Sequence, residues 1–289
     1  MRDEINVVTP SSLDEALDIL RNRRSLKIIA GGSDIIVQLR DGVIEPSTLL
    51  NILSLKELRY IREGDDRIRI GALATYNDII ASSLTRKHAW VLVDAARQIG
   101  AAQLQNTATL GGNLGNASPA GDSLPPLYAL DAVIVTRNAS GRRETPIEEF
   151  FIDYRKTTLL DDEMIEEVHF KPLTTNDRGA YIKLGLREAN AISIVDVAVV
   201  LRGKQVGESF SDVRVSLGAV APTVKRSRKS EAELVGRPLT LNAIQRAAEL
   251  AVSDSVPISD IRGSADYRKH VVASLVYAAL YQAIYGKRS

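Results

Sequence analysis

The chain has 289 residues, 45% of them hydrophobic and 25% charged, with a formal net charge of +1. That length predicts about two domains with a sizeable core, and a charge this near zero excludes the basic excess that marks nucleic-acid binders. No cysteine is present, which excludes disulfides, thiolate catalysis, iron–sulfur ligation, thiolate zinc sites and a cysteinyl cofactor link in this chain.

The opening Met1-Arg2-Asp3-Glu4 is acidic and lacks the apolar stretch of a secretory signal. No apolar run reaches the length of a membrane span, so a cytoplasmic protein with no membrane span is expected. Ile5 to Val8 reads as a short strand. Ser12, with Glu15 three residues on, forms a capping-box pattern ahead of an apolar stripe at Leu13, Ala16, Leu17 and Leu20. Leu26 to Ala30 reads as a second strand ending at Gly31-Gly32, and Leu49 to Leu53 as a third, which predicts a small parallel βαβ layer. Tyr60 to Arg62 and Ile68 to Ile70 alternate around Asp65-Asp66 as a hairpin does, and helices follow over Tyr76 to Ser82 and Trp90 to Ile99.

Gly100 to Asp122 is rich in Gly, Asn, Ser and Ala and reads as one long loop. Loops of that length inside compact domains are commonly functional. Leu124 to Leu130 resumes a helix and Ala132 to Thr136 a strand. Beyond a linker or turn at Asn176-Asp177-Arg178-Gly179, the stretches Tyr181 to Leu186, Ile192 to Leu201 and Val213 to Val220 predict a three-stranded antiparallel sheet. Lys225-Arg226-Ser227-Arg228-Lys229 reads as a solvated loop or helix start rather than a binding patch. Helical periodicity covers Leu241 to Val252 and Ser264 to Tyr285. His88, His169 and His270 are scattered without metal-ligand spacing, and no metal site is expected.

Two segments carry the chemistry. In Ile29-Ala30-Gly31-Gly32-Ser33-Asp34-Ile35 a strand runs into two glycines and a helix start, either a plain tight turn or a place where backbone N–H groups approach a phosphate. Thr109 to Asp122 concentrates glycines, amides, hydroxyls and one carboxylate, either an ordinary polar loop or an inventory suited to phosphates, a ribityl chain and a ring edge. Neither has the spacing of a dinucleotide fingerprint or a P-loop.

The two segments together resemble the paired FAD motifs of the flavoprotein in molybdenum hydroxylases, a family including carbon monoxide dehydrogenase medium subunits and the flavin domain of xanthine dehydrogenase. Ala30 to Asp34 matches A-G-G-S/T-D. Thr109 to Asn113, Ser118-Pro119 and Asp122 match the second motif in order and spacing. Tyr181 to Arg187 resembles a third family segment, with Lys183 at its lysine, and Asp260 to Arg268 resembles the start of the closing helix.

This resemblance implies that Ile28, Ile29, Ala30, Gly31, Gly32, Ser33, Asp34 and Ile35 line the pyrophosphate and part of the flavin. It gives Thr109, Gly111, Gly112, Asn113 and Asp122 to the ribityl, phosphates and ring edges, and Lys183 to the isoalloxazine. Ile99 and Ile165 fall at apolar contact positions, where plain core is the competing reading. Lys183 could instead be a surface strand residue, and Asp122 a helix N-cap.

The implied fold is α+β: a two-lobed FAD-binding domain over 1–174 (lobes about 1–56 and 57–174), then a C-terminal domain over 175–289 of a three-stranded antiparallel sheet plus helices. The implied role is electron transfer with noncovalent FAD, beside a large molybdopterin-binding subunit and a small subunit with 2Fe–2S clusters, in a dimer of heterotrimers. No catalytic acid or base is expected here. A self-sufficient NAD(P)H reductase and a structural subunit without FAD are the rival readings. The lack of a cysteine-bearing insertion separates the chain from the hydroxybenzoyl-CoA reductase flavoprotein. Substrate and electron acceptor are not legible.

Overall fold

The computed structural model describes residues 5–22, 25–203 and 209–286; Met1 to Glu4 lie outside the described residues. Strands Asn6–Val8, Leu26–Ile29 and Thr48–Asn51 form a parallel sheet with Thr48–Asn51 in the centre. Helix Leu13–Asn22 buries its predicted stripe, Leu13, Ala16, Leu17 and Leu20, against Leu50, Ile52, Leu55 and Leu58. Full burial of one such side chain contributes about 1.5–3 kcal/mol. The cap differs in detail from the pattern: Ser12 Oγ accepts from the Glu15 N–H at 3.2 Å, but the Glu15 carboxylate reaches back to Ser11 N at 2.7 Å.

The second lobe is a five-stranded antiparallel sheet in the order Ile61–Gly64, Arg67–Gly71, Met164–Phe170, Val133–Asn138, Gly141–Pro146. The predicted hairpin turns at Asp65 (φ 52°) and Asp66 (φ 54°), the left-handed pair of a tight two-residue turn. Met164–Phe170 supplies the sheet's centre, and all seven of its residues are buried. Its two adjacent glutamates are neutralised in place: Glu167 accepts from Tyr60 Oη at 2.5 Å and from Arg69, and Glu166 from Arg142 Nε at 2.8 Å.

The segment expected as a single loop contains two short helices, Ala102–Thr107 and Leu110–Asn116. Asparagine and glycine are poor helix formers, so the second exists by tertiary support. Leu110 and Leu114 are fully buried, and Thr109 caps it by accepting from the Gly112 N–H at 3.1 Å.

Beyond a turn in which the Asp177 carboxylate accepts from Thr174 N at 2.7 Å, strands Arg178–Leu184, Val195–Arg202 and Asp212–Gly218 form the expected antiparallel sheet. Gly179 lies within the first of these, not in a linker; a Cβ there would come 2.8 Å from Val91. Apart from the buried Asp196 and the terminal Arg202, strand Val195–Arg202 is apolar on both faces because both are covered. Ala198 and Val200 join the second lobe's core, while Val195, Val197 and Val199 pack with residues of helices Leu241–Val252 and Ala265–Tyr285. A two-residue strand, Lys225–Arg226, adds a fourth member at the edge. The basic run is therefore not wholly solvated. Arg226 is buried between Glu148 at 3.1 Å and Glu231 at 2.5 Å, and helix Arg228–Leu234 starts where a helix start was expected.

Candidate functional site

Strand Leu26–Ile29 delivers the chain to Gly31-Gly32, and Gly32 takes φ +73°. Helix Ile35–Arg40 begins after Asp34. Between them the N–H groups of Gly31, Gly32, Ser33, Asp34 and Ile35 donate to no acceptor among the described residues. Backbone donors left free in a run, with one residue in the left-handed region, form an anion-binding concavity. Ile28, Ile29, Ala30, Gly31, Gly32, Asp34 and Ile35 are half-buried and Ser33 is exposed. Asp34 accepts from Gln38 Nε2, and Arg155 stands 3.9 Å from its carboxylate.

The second segment is brought against the first. A Cβ on Gly31 would lie 1.7 Å from the Thr107 carbonyl oxygen, so only glycine permits the approach. Gln38 Nε2 reaches Asn116 Oδ1 at 3.4 Å. Here the backbone donors are already used: Leu110 N bonds Ala74 O, Gly111 N bonds Ala72 O, Gly112 N bonds Thr109 Oγ1, and Asn113 N bonds Thr109 O. Gly111 is fixed by Ala72, whose Cβ would lie 2.6 Å from an added one. Asn113 Oδ1 accepts from Ser123 Oγ at 2.8 Å, and its Nδ2 donates to nothing among the described residues.

The segment ends at Asp122, which is not a helix cap. Ser123 occupies the cap position of helix Leu124–Ala129 and makes no side-chain cap bond. Asp122 instead accepts from Lys183 Nζ at 2.6 Å and Ser193 Oγ at 2.5 Å. The two charged side chains are 5% and 9% exposed, so Lys183 is not a surface residue. Lys183 Nζ also donates to the Gln98 carbonyl at 3.0 Å. Burial pushes the Asp122 carboxyl up from the ordinary range, while the Lys183 ammonium and the Ser193 hydroxyl pull it down. Two backbone bonds lock the C-terminal sheet onto this segment, Asn190 N to Gly100 O at 2.9 Å and Ala219 N to Pro119 O at 2.9 Å.

Ile99 is half-buried and packs on the main core, and Ile165 belongs to that core, its Cδ1 3.9 Å from where a Gly115 Cβ would be. Sequence reasoning missed Ser193, Gln98 and Gln38; Gln38 stands one helical turn from Asp34 and Gln98 adjoins Ile99, while Ser193 has no such marker. Two open clefts of about 290 and 610 Å³ beside helix Leu13–Asn22 are lined by none of the predicted site residues. Among the described residues no His, Asp or Glu cluster could hold a metal, and no helix is long and apolar enough to cross a membrane.

Residues 3–172 match the model of the FAD binding domain in molybdopterin dehydrogenase, and residues 180–283 that of the CO dehydrogenase flavoprotein C-terminal domain. The chain belongs to this flavoprotein family. It is 32% identical to the carbon monoxide dehydrogenase medium chain of Hydrogenophaga pseudoflava, over 95% of each chain. To the xanthine dehydrogenase FAD-binding subunit of Escherichia coli O157:H7 it is 30% identical, over 95% of this chain and 94% of that one. A solved structure of the Hydrogenophaga pseudoflava carbon monoxide dehydrogenase, lacking the Mo-pyranopterin moiety of its cofactor, superposes with TM-score 0.93 at 31% identity, covering 98% of both chains.

The chain is thus an FAD-binding oxidoreductase subunit of the molybdenum hydroxylase type, with the α+β fold expected for it. The residues present fit the cofactor. A run of unsatisfied N–H groups suits a pyrophosphate, and the free Asn113 amide with the Lys183–Asp122 pair suits the polar edge of a ring.

Proposed function

We propose that this flavoprotein holds FAD noncovalently and passes electrons from the 2Fe–2S clusters of a small partner subunit to an external acceptor. Substrate would be hydroxylated at a molybdopterin cofactor in a large partner subunit, the whole forming a dimer of heterotrimers in the cytoplasm. The observation that carries the reading is the row of free backbone donors from Gly31 to Ile35, packed directly against the second motif.

Bound FAD supplies reversible one- and two-electron transfer, so the protein's work is to hold the ring and set its potential. In this reading Ile28 to Ile35 cradle the pyrophosphate, Thr109, Gly111, Gly112 and Asn113 flank the ribityl and phosphates, and Asp122 accepts from the cofactor's donors. Lys183 stands beside the isoalloxazine, where its charge favours the reduced, anionic ring by Coulomb attraction. Ile99 and Ile165 back the site with apolar surface. The working units are 1–174, with lobes about 1–56 and 57–174, and 175–289. Separate sheets in the three parts support that division.

The test has two arms. Acid or heat precipitation of the purified chain should release a yellow chromophore, because a cysteinyl link is unavailable and none of the proposed site residues is a histidine or tyrosine. The isolated chain should show no turnover of aldehydes, purines or carbon monoxide with a dye acceptor. Flavin that stays with the precipitate sinks the noncovalent reading, and substrate turnover by the metal-free chain sinks the subunit reading.

A further inference from the structure

Lys183 and Asp196 are direct cross-strand partners in the antiparallel pairing of Arg178–Leu184 with Val195–Arg202. Side chains so placed share one sheet face with Cβ atoms about 4.5–5.5 Å apart, and opposite charges there attract. Yet the Lys183 ammonium goes to Asp122 at 2.6 Å and to the Gln98 carbonyl at 3.0 Å. Asp196 accepts instead from Tyr181 Oη at 3.0 Å, two residues along on the strand and face of Lys183. Asp196 is 0% exposed, and its second oxygen, Oδ1, has no hydrogen-bond partner among the described residues. Gly218, its neighbour on the third strand, leaves room for that oxygen; a Cβ there would come within 2.2 Å of it.

The titratable groups facing this carboxyl are Tyr181 and Lys183 from the first strand and Asp122 from the segment before helix Leu124–Ala129. Strand Asp212–Gly218 brings only Ser216 and Gly218, and Ser216 Oγ is spent on the Pro125 carbonyl at 2.7 Å. The enclosure therefore holds two carboxyls and one ammonium.

We propose that Asp196 is a positioning residue which carries a proton, and that by carrying it Asp196 leaves the Lys183 ammonium to Asp122 and the flavin edge. Two buried carboxylates beside a single cation cannot both ionise cheaply. Asp122 accepts from an ammonium and a hydroxyl, whereas Asp196 accepts from the Tyr181 phenol and has besides it its own backbone N–H and the Lys183 charge, without a Lys183 hydrogen bond, so the proton belongs on Asp196. Burial, and then the Asp122 charge, hold the Asp196 carboxyl well above the ordinary carboxylate range. Loss of that proton puts an anion directly opposite Lys183 and draws the ammonium back along the sheet. The link to the flavin rests on the placing of Lys183 beside the ring under the proposed function; the proton itself does not.

Infrared difference spectra of the flavin-loaded chain test the proton first. A protonated-carboxyl band should be present at neutral pH, vanish in Asp196→Asn and shift in Tyr181→Phe, whose hydroxyl donates to this carboxyl. Its absence from the parent protein, or its persistence in Asp196→Asn, overturns the proposal. Should Asp196→Asn not fold, Tyr181→Phe removes the hydroxyl bonded to this carboxyl and should shift the band to higher frequency; an unmoved band overturns the proposal. FAD titrations from neutral to alkaline pH test the positioning. The dissociation constant should rise about tenfold in the parent and by less than about twofold in Asp196→Asn. Equal pH dependence in the two proteins overturns the positioning role. A proton found on Asp196 together with an affinity indifferent to pH in both also overturns it, through failure of the Lys183 placement.

Discussion

The Gly31–Ile35 turn and the Thr109–Asp122 segment each contain a Gly-Gly pair, and the fold uses the pairs in opposite ways. In the turn the backbone N–H groups have no acceptors among the described residues, so the backbone itself is what is on offer to a ligand. In the second segment the glycines let a short helix press against Ala72 and the Thr109 cap, and every N–H from Leu110 to Asn113 is consumed. There the side chains are on offer: the Asn113 amide, the Asp122 carboxylate and, through it, Lys183. Similar glycine content thus yields a backbone anion cradle in one place and a packing device in the other. Spacing alone could not distinguish them.

The largest expected effect comes from glycines placed on the two sides of that contrast. Gly31→Ala sets a methyl 1.7 Å from a backbone carbonyl that cannot swing aside. We expect a loss of about 3 kcal/mol and a melting temperature lower by roughly 6–10 °C, with FAD binding weakened about a hundredfold or more. At Gly112 the added methyl meets only the Thr109 hydroxyl, at 2.8 Å. Gly112→Ala should cost about 1 kcal/mol by perturbing that cap. Paired melting curves and flavin titrations decide it; equal losses from the two variants would erase the distinction.

Next in size is Asp122→Asn. Asparagine caps helices about as well as aspartate, so a capping role predicts little change. The structure gives Asp122 a buried ammonium and a serine hydroxyl instead. Removing the charge leaves Lys183 buried without its counter-ion, a change of the kind that costs about 3–5 kcal/mol when a partner is deleted outright, less with an amide in place. FAD affinity should fall about tenfold or more, since a charged acceptor is worth about 1.5–3 kcal/mol. Unchanged affinity in a folded variant removes Asp122 from the flavin site.

Much of this was legible in the sequence where local pattern decides structure. The stripe Leu13, Ala16, Leu17, Leu20 and the Asp65-Asp66 turn are examples, and the parallel layer of the first lobe is another. What escaped has physical causes. Met164–Phe170 is buried on both faces, so no polar alternation marks it as a strand, and its glutamates look like surface until their arginines are in place. Helix Leu110–Asn116 includes Gly111, Gly112 and Gly115, against its own propensity. At the site, the family resemblance pointed to Asp122 and Lys183 separately. Their bond joins residues 61 apart in sequence, and Ser193, which completes the clamp, has nothing nearby to mark it.

Lys183→Met should separate holding the flavin from tuning it. The methionine keeps much of the apolar stem and deletes the charge. FAD should stay bound, and its midpoint potential should fall by roughly 30 mV or more, the two-electron equivalent of a tenfold change. The direction follows from Coulomb's law: the reduced anion loses a neighbouring cation, so reduction becomes less favourable. Spectroelectrochemical titration with a melting curve as a folding control is the measurement. An unchanged potential means Lys183 serves the Asp122 clamp alone.

The smallest effect is expected at Thr109, and it probes whether the second segment offers any backbone-adjacent hydroxyl to the ligand. Thr109 is 3% exposed, and its Oγ1 already accepts from the Gly112 N–H at 3.1 Å. The O–H hydrogen is still available to donate, so the cap and a bond to FAD are compatible. Thr109→Ser keeps the hydroxyl and should keep both the melting temperature and FAD affinity near parent values. Thr109→Ala loses the cap, about 1 kcal/mol, which for a domain of this size is roughly 2–4 °C. If the hydroxyl only caps, FAD affinity in Thr109→Ala should stay within about twofold, because the helix is also held by the buried Leu110 and Leu114. If it also donates to the cofactor, the loss of one neutral hydrogen bond adds about 1 kcal/mol, or roughly a fivefold weaker dissociation constant. A fivefold loss restored by serine would move Thr109 from the packing side of the comparison to the ligand side, and with it part of the contrast between the two Gly-Gly segments.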